Sequence, residues 1–338
     1  MRRQPTVTDV ASAAGVSRQT VSNVLNTPHI VRAETRERVE EAIARLHYRP
    51  HASARRLRTR LSETIGVRLD PVTDGISGSL LDRFLHALAE RTAKAGFRVL
   101  LYTADDEAAE IEQFGRLIDG ADVDAFVLTS THHGDTRIDW LIEHEVPFVT
   151  FGRPWGVADM TDPEHLWVDV DGRHGLTLAT EHVLAGGAHR VAFLGWPAGS
   201  GTGDDRRAGW RATMTARTDL TEAELAALDL TVDEDPTDSS VATRLVAALD
   251  PTPDAVVCAS DSLALAARLA LGDRVPIVGY DDTPVARALG LCSVAQQLDE
   301  VAEGVLDLLI GAHRGKAGGT DGVDDPQHRL VKPRLVVR

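Results

Sequence analysis

Two cysteines, Cys258 and Cys292, are all the thiol the chain carries, which excludes a disulfide framework. Each sits in an apolar run, AVVCAS and GLCSVA, so both are expected as buried free thiols. Long apolar runs are missing as well. No stretch approaches the ~18 residues of a membrane span. The start, MRRQPTVTD, has two arginines with no apolar run behind them, so it does not read as a secretory signal. The expected location is the cytoplasm, with no membrane partner. Positive charge is in deficit: 36 Lys and Arg face 51 Asp and Glu, a formal net of −15. As an average, that argues against binding a duplex, which is itself a dense line of negative phosphates.

Signatures of catalysis are also absent. Gly199-Ser-Gly-Thr-Gly203 is glycine-rich between a strand and a helix, but no Lys-Ser/Thr pair follows, so it is not a P-loop. Asp204 breaks the G-x-G-x-x-G spacing. His132, His133 and His144 have no carboxylate at a metal-ligand spacing beside them, and His165, His174, His182 and His189 show no HExxH pattern. No nucleophile–base pair is evident. An enzyme is not expected, and no cofactor or metal is implied.

What is present is segregated. Residues 1–60 hold 12 basic and 5 acidic side chains, a net of +7, which leaves −22 for residues 61–338. A small basic arm is carried by a large acidic body. The arm reads as short helices. Thr6 with Asp9 makes a capping box, and Val7, Val10, Ala11 and Ala14 then share a face. Gly15 supplies the left-handed turn that a tight helix–helix joint needs. Ser17 caps a second helix over Arg18–Leu25. A third covers about Ala33–Leu46, with Val39, Ala42, Ile43 and Leu46 inward. This is the helix-turn-helix plan. Residues 47–62, HYRPHASARRLRTRLS, break it: Pro50 stops the third helix, and four arginines then surround Leu57, the only large apolar residue before Leu61.

From Glu63 onward, apolar runs alternate with helical segments. The strands are TIGVRL, FRVLLY, DAFVLT, PFVTF, LWVDV, RVAFLG, DAVVCA and VPIVGY. Helices are expected at Leu80–Ala95, Ala108–Ile118, Leu176–Ala185, Arg206–Ala216, Val241–Leu249, Ser262–Leu271 and Leu298–Ile310. Continuous apolar strands separated by helices indicate parallel sheets covered on both faces. There are too many for one sheet, so the fold class is α/β, with two doubly wound lobes behind an all-α headpiece. LCSVA reads as a short crossover, Gly311–Asp325 as a loop, and Arg334–Val337 as a last strand.

The string TVTDVASAAGVSRQTVSNVLN, then TRERVEEAIARLHYRP, resembles the headpiece of the LacI family of bacterial repressors. EHVLAGGAHRVAFLG, DDRRAGW, ASDSLALAA and VPIVGYDD fit the rest of that family in order. The resemblance implies a helix-turn-helix domain at 1–50, a hinge helix at 51–62 and a two-lobed ligand-binding and dimerisation domain at 63–338, like periplasmic binding proteins. It implies a homodimer on a palindromic double-stranded operator. Implied DNA contacts are Thr6, Ser17, Arg18, Gln19, Thr20, Ser22, Asn23, Asn26 and Tyr48, with Ala54 and Leu57 in the hinge. Arg18, Gln19 and Asn23 lie on the exposed face of the second helix, and such side chains read guanine or adenine edges. Leu57 would wedge between base steps in the minor groove. Asn23 and Arg32 depart from the Arg and Ser frequent at those positions.

Ligands of such sheets sit at the carboxyl ends of the strands. The candidates there are Asp70, Thr129, Arg153, Ser260, Asp261, Asp281 and Gln296, with Arg206 opening a helix after the glycine loop. Trp155, Trp167 and Trp196 are the available aromatic platforms, Trp196 foremost. Asp261 also reads as a cap of its own helix. Carboxylates and an Arg fork suit a small carbohydrate that releases the operator. Two alternatives stay open: a corepressor such as a purine, and a small-molecule binder with a vestigial headpiece.

Overall fold

In a computed structural model the chain divides into two compact units, 1–62 and 63–338. Residues 5–48, 62–70, 78–232, 239–317 and 327–338 are described, without the side chains of Asn26, Ser239 and 312–317. Ala54 and Leu57 therefore lie outside the described residues.

In the first unit, helix α1 spans Val7–Ala14 and α2 Arg18–Asn26; a 3-10 turn at Pro28–Ile30 leads to α3, Ala33–Leu46. The Thr6 N–H donates to Asp9 Oδ2 (2.8 Å) and the Asp9 N–H to Thr6 Oγ1 (3.3 Å), so both ends of the capping box are made. Gly15 takes φ 64° at the α1–α2 joint. Arg32 precedes α3 without a side-chain cap bond. Val10, Val21, Val24, Val39 and Ala42 close a small core, and Arg38 Nη2 ties α3 to the Ala14 carbonyl at 2.8 Å.

The second unit holds two six-stranded sheets. Its elements in chain order are β1 Thr64–Arg68, α4 Gly78–Lys94, β2 Arg98–Tyr102, α5 Glu107–Asp119, β3 Ala125–Leu128, α6 Thr136–Glu143, β4 Phe148–Phe151 and β5 Trp167–Val170. Then come α7 Gly172–Ala185, β6 Val191–Gly195, α8 Thr202–Arg217, α9 Glu222–Ala227, β7 Asp229–Thr231, α10 Ser239–Ala247, β8 Ala255–Cys258 and α11 Asp261–Leu271. The last are β9 Ile277–Tyr280, α12 Pro284–Ala288, β10 Cys292–Ala295, α13 Leu298–Ala317, β11 His328–Val331 and β12 Arg334–Val336.

The first sheet runs β11-β5-β4-β3-β1-β2, all parallel. The second runs β12-β10-β9-β8-β6-β7, parallel except where β12 pairs β10 antiparallel. The chain crosses between lobes three times: from β5 to α7, from β10 to α13, and from β11 to β12. Helices cover both faces of the first sheet. Phe84, Leu88, Val301 and Val305 pack on one side, and Phe114, Leu141 and Phe148 on the other. In the second lobe Trp210 is fully buried against Phe193, and its indole N–H donates to the Val191 carbonyl at 3.0 Å.

All eight expected strands form. LCSVA, expected as a crossover, is strand β10, an interior strand between β9 and β12 whose consecutive residues Ser293, Val294 and Ala295 are buried on both faces. The expected loop from Gly311 is instead helical to Ala317, since α13 continues past its buried stripe. Cys258 is buried as expected, but Cys292 is only half-buried, with Sγ beside the Arg338 backbone. No helix among the described residues is long and apolar enough to cross a membrane.

One buried group links stability to pH. His165 is 4% exposed; the Thr150 hydroxyl donates to the Gly152 carbonyl (2.7 Å) and so accepts from His165 Nε2 (3.1 Å). That geometry places a ring proton on Nε2. Burial holds the His165 pKa down at about 4. Between pH 6.5 and 4 the unfolded chain takes up a proton that the folded chain refuses. Stability is therefore expected to fall by up to about 3 kcal/mol as pH drops through this window. Urea unfolding at pH 7.5 and 4.5 should show a larger loss in the parent than in His165→Gln.

Candidate DNA interface and ligand cleft

In the headpiece the start of α2 is the candidate interface. Ser17 is an extended N-cap whose Oγ accepts the Thr20 N–H at 3.1 Å, leaving earlier N–H groups of the turn free of helical partners. Ser17, Arg18 and Gln19 are exposed, and Thr20, Ser22 and Asn23 are half-buried. Gln19 Nε2 donates to Asn23 Oδ1 at 3.0 Å, so these two amides stand together one turn apart. Thr6 is committed to its capping box. Tyr48 is 9% exposed and packs into the headpiece core, and burial raises its phenol pKa.

In the larger unit the candidate residues gather at the carboxyl ends of the strands, as expected of this architecture. Asp70, after β1, accepts from Ser130 Oγ at 2.7 Å, from Thr129 Oγ1 at 3.5 Å and from Arg68 Nε at 2.8 Å. Arg68 also meets Glu110 at 2.8 Å, and Glu110 is shared with Arg137, which is 1% exposed and bound to Asp135 as well. Burial alone would lower the Arg137 pKa; its two carboxylates outweigh that and raise it. His132 joins Glu107 and Asp135 nearby, a grouping of metal-ligand types that the sequence spacing did not show. Arg137 already holds Asp135 there, and Thr136 holds Glu107.

In the second lobe Arg206 is 5% exposed. Its guanidinium lies 3.7 Å from the Tyr280 ring centroid, 5.6 Å from that of Trp196 and 3.9 Å from Asp281 Oδ1, and it donates to the Ala259 carbonyl. Gln296 Nε2 donates to Asp281 Oδ1 at 2.7 Å. Arg206, Asp281, Gln296 and Trp196 thus form one wall. Asp281 has φ 106°, a strained backbone for a residue with a side chain, and Arg83 of α4 reaches its carbonyl at 3.4 Å.

Two candidates are used by the fold. Ser260 caps α11 through the Leu263 N–H. Asp261 is 1% exposed; its Oδ2 accepts the Thr283 N–H and its Oδ1 the Ser293 hydroxyl, each at 2.7 Å. Burial raises its pKa, and those hydrogen bonds oppose the rise. It organises the loop behind Asp281. Arg153 is likewise occupied, by Asp169 (2.7 Å) and Asp205 (2.6 Å). Asp169, Asp205, Tyr280 and Ser130 were missed in the sequence. The signal for Asp169 and Tyr280 was their place at strand ends.

The glycine loop serves an internal purpose. Asp204 Oδ2 accepts the N–H groups of Gly199 (2.8 Å) and Gly201 (3.2 Å), so the loop cradles the chain's own carboxylate. A groove of about 680 Å³ lies elsewhere, at the amino ends of the second sheet, beside His182, Asp254 and Arg274. Ligands of open α/β sheets bind at the other end.

The family description "Bacterial regulatory proteins, lacI family" matches residues 6–51, and "Periplasmic binding protein-like domain" matches residues 180–338. The HTH-type transcriptional regulator CelR of Thermobifida fusca is 33% identical over 353 residues, covering 100% of this chain and 98% of its own. The chain belongs to the LacI family. Its relatives in that family are transcriptional regulators and not enzymes. The HTH-type transcriptional repressor PurR of Erwinia tasmaniensis is 29% identical over 98% of this chain and 96% of its own. A solved structure described as a transcriptional regulator CelR–cellobiose complex superposes with a TM-score of 0.69 at 29% identity, covering 99% of each chain.

The division of labour around Asp261 is testable. Asp261→Ala leaves a buried N–H and hydroxyl unpaired and is expected to cost about 1–3 kcal/mol in urea unfolding. Removal of a pure ligand contact would leave the unfolding midpoint where it was.

Proposed function

We propose that this LacI-type regulator is a homodimeric repressor that holds a palindromic operator and releases it when an uncharged carbohydrate binds between the lobes. The supporting observation is a set of buried polar atoms without partners. Trp155 Nε1, Ser200 Oγ, Arg206 Nε and Tyr280 Oη are four of six such side-chain atoms among the described residues. All four belong to segments that meet where the lobes face each other. Buried polar groups are ordinarily paired, so these imply a hydroxyl-bearing ligand or water. The arrangement of charge supports this ligand class. Arg68, Arg137 and Arg153 each have two carboxylate partners, and Arg206 has Asp281. A phosphorylated ligand would meet carboxylates in excess of free cations, whereas vicinal hydroxyls donate to them. The CelR structure contains cellobiose, which agrees with this chemistry. A purine corepressor is the second reading.

On the DNA side, Arg18 and Gln19 carry the reading of base edges, and Asn23 supports Gln19. Two such headpieces would read half-sites about one helical turn apart. Contact is confined to the +7 headpiece region, and the −22 body is repelled by phosphate.

Arg18→Ala is expected to weaken operator binding by about 1–3 kcal/mol and to relax specificity, measured by fluorescence anisotropy on matched and single-substituted operators. A uniform loss on all sequences would reduce Arg18 to a phosphate contact. Arg206→Ala should keep operator affinity but lose release by cellobiose, tested with galactosides and with hypoxanthine in parallel. Tightening by hypoxanthine in the parent would favour the corepressor reading. A variant that still responds like the parent would remove Arg206 from the site.

A further inference from the structure

Segment 152–155, following β4 in the first lobe, is docked on segment 199–206 of the second. Arg153 makes a fork: Nε donates to Asp169 Oδ2 in its own lobe at 2.7 Å, and one Nη to Asp205 Oδ2 in the opposite lobe at 2.6 Å. The same Asp205 oxygen accepts the Arg173 N–H at 3.0 Å, so α7 and α8 hold the acceptor in place. Both partners are largely enclosed, with side chains 14% and 15% exposed. Beside this pair, the Arg153 guanidinium lies 4.4 Å from the Trp155 ring centroid. The indole packs directly on Gly201. A Cβ there would stand 2.4 Å from Trp155 Cγ, and Gly201 itself has φ 63°. The glycine in the loop is thus required by a ring from the other lobe as well as by its own turn.

We propose that Arg153 and Trp155 are a clasp: they fasten the two lobes along one side of the cleft, and the strength of that closure sets how readily the lobes rearrange. This deepens the reading of a ligand-driven regulator, because it names the positioning residues through which lobe closure is poised. Arg153 acts through Asp205 and does not use its fork on a ligand. Its charge is matched within the pair of carboxylates, so the clasp opens without stranding a lone cation. Asp169, which is 7% exposed, keeps Arg153 on its own lobe when the seam parts. Arginine suits this task because its planar fork serves two carboxylates at once, which a lysine ammonium does less well.

The test is hydrogen exchange, followed by mass spectrometry, on the full-length protein without added sugar. Arg153→Gln alters one lobe. It is expected to speed exchange of the amides at 199–206 in the other lobe by about tenfold, the factor that corresponds to 1.4 kcal/mol. Asp205→Asn, which keeps the size of the side chain and removes the charge that Arg153 pairs with, should speed exchange in 199–204 in the same direction. The double variant should exceed neither single one, because both remove the same contact. Should Arg153→Gln fail to fold, Arg153→Lys is read in its place. Exchange changes confined to residues 152–156 and 167–170, or multiplicative effects in the double variant, would overturn the clasp. Because no sugar is present, failure of cellobiose to release the operator and failure of the clasp are separate results.

Discussion

Burying ionised groups at the carboxyl ends of the two sheets is the constraint that organises this molecule. The sheets are joined by three chain crossings, and their facing ends carry Arg68, Arg137, Arg153 and Arg206 together with a larger number of carboxylates. An enclosed charge costs several kcal/mol unless it is paired and hydrogen-bonded. The chain meets that cost by sharing. Glu110 serves two arginines and accepts the Tyr102 hydroxyl at 3.0 Å, and Arg153 serves two aspartates. What the pairing leaves over is an excess of acceptors and a few orphaned hydroxyl and N–H groups. That remainder is the chemistry on which the proposed ligand reading rests.

The same sharing makes the seam a place where structure and response meet. Neutral hydroxyls can exchange with the orphaned groups without disturbing the ion pairs, whereas a charged ligand would have to compete with them. Asp261 and Ser260 lie just behind the wall and fix the loop that carries Asp281. The wall that carries Asp281 is thus held by a second layer of buried hydrogen bonds, which fixes its geometry. At the other end of the chain, the headpiece needs no such network. Its small core and two caps suffice to present the start of α2.

Much of this was legible in the sequence because apolar runs of four to five residues mark covered parallel strands, and all eight so read form. The capping box at Thr6, the Gly15 joint and the bounds of the third helix were local signals and appear locally. The misses have a common physical origin. Strands β7 and β11 are short edge strands with polar residues, and helices α6, α9 and α12 are 8, 6 and 5 residues long, too short for a periodic stripe. The site divided in the same way. Asp281 was found from a strand end, Gln296 from the segment LCSVA and Arg206 from the helix start after the glycine loop, but the partners of Arg153 were not found, since Asp205 lies 52 residues away and in the other lobe. Nothing local could tell that the Gly199–Gly203 loop seats an indole and a carboxylate.

The opposed charges of the headpiece and the body suit the proposed function: cations serve where phosphate is met, and the carboxylates of the cleft would serve where hydroxyls are met. The claim that the cleft selects an uncharged, hydroxyl-rich ligand is tested most directly by calorimetry on the full-length protein, comparing cellobiose with its phosphorylated counterpart at matched salt. The account predicts heat of binding for the neutral disaccharide and none for the phosphorylated one. Tighter binding of the phosphorylated sugar would contradict it.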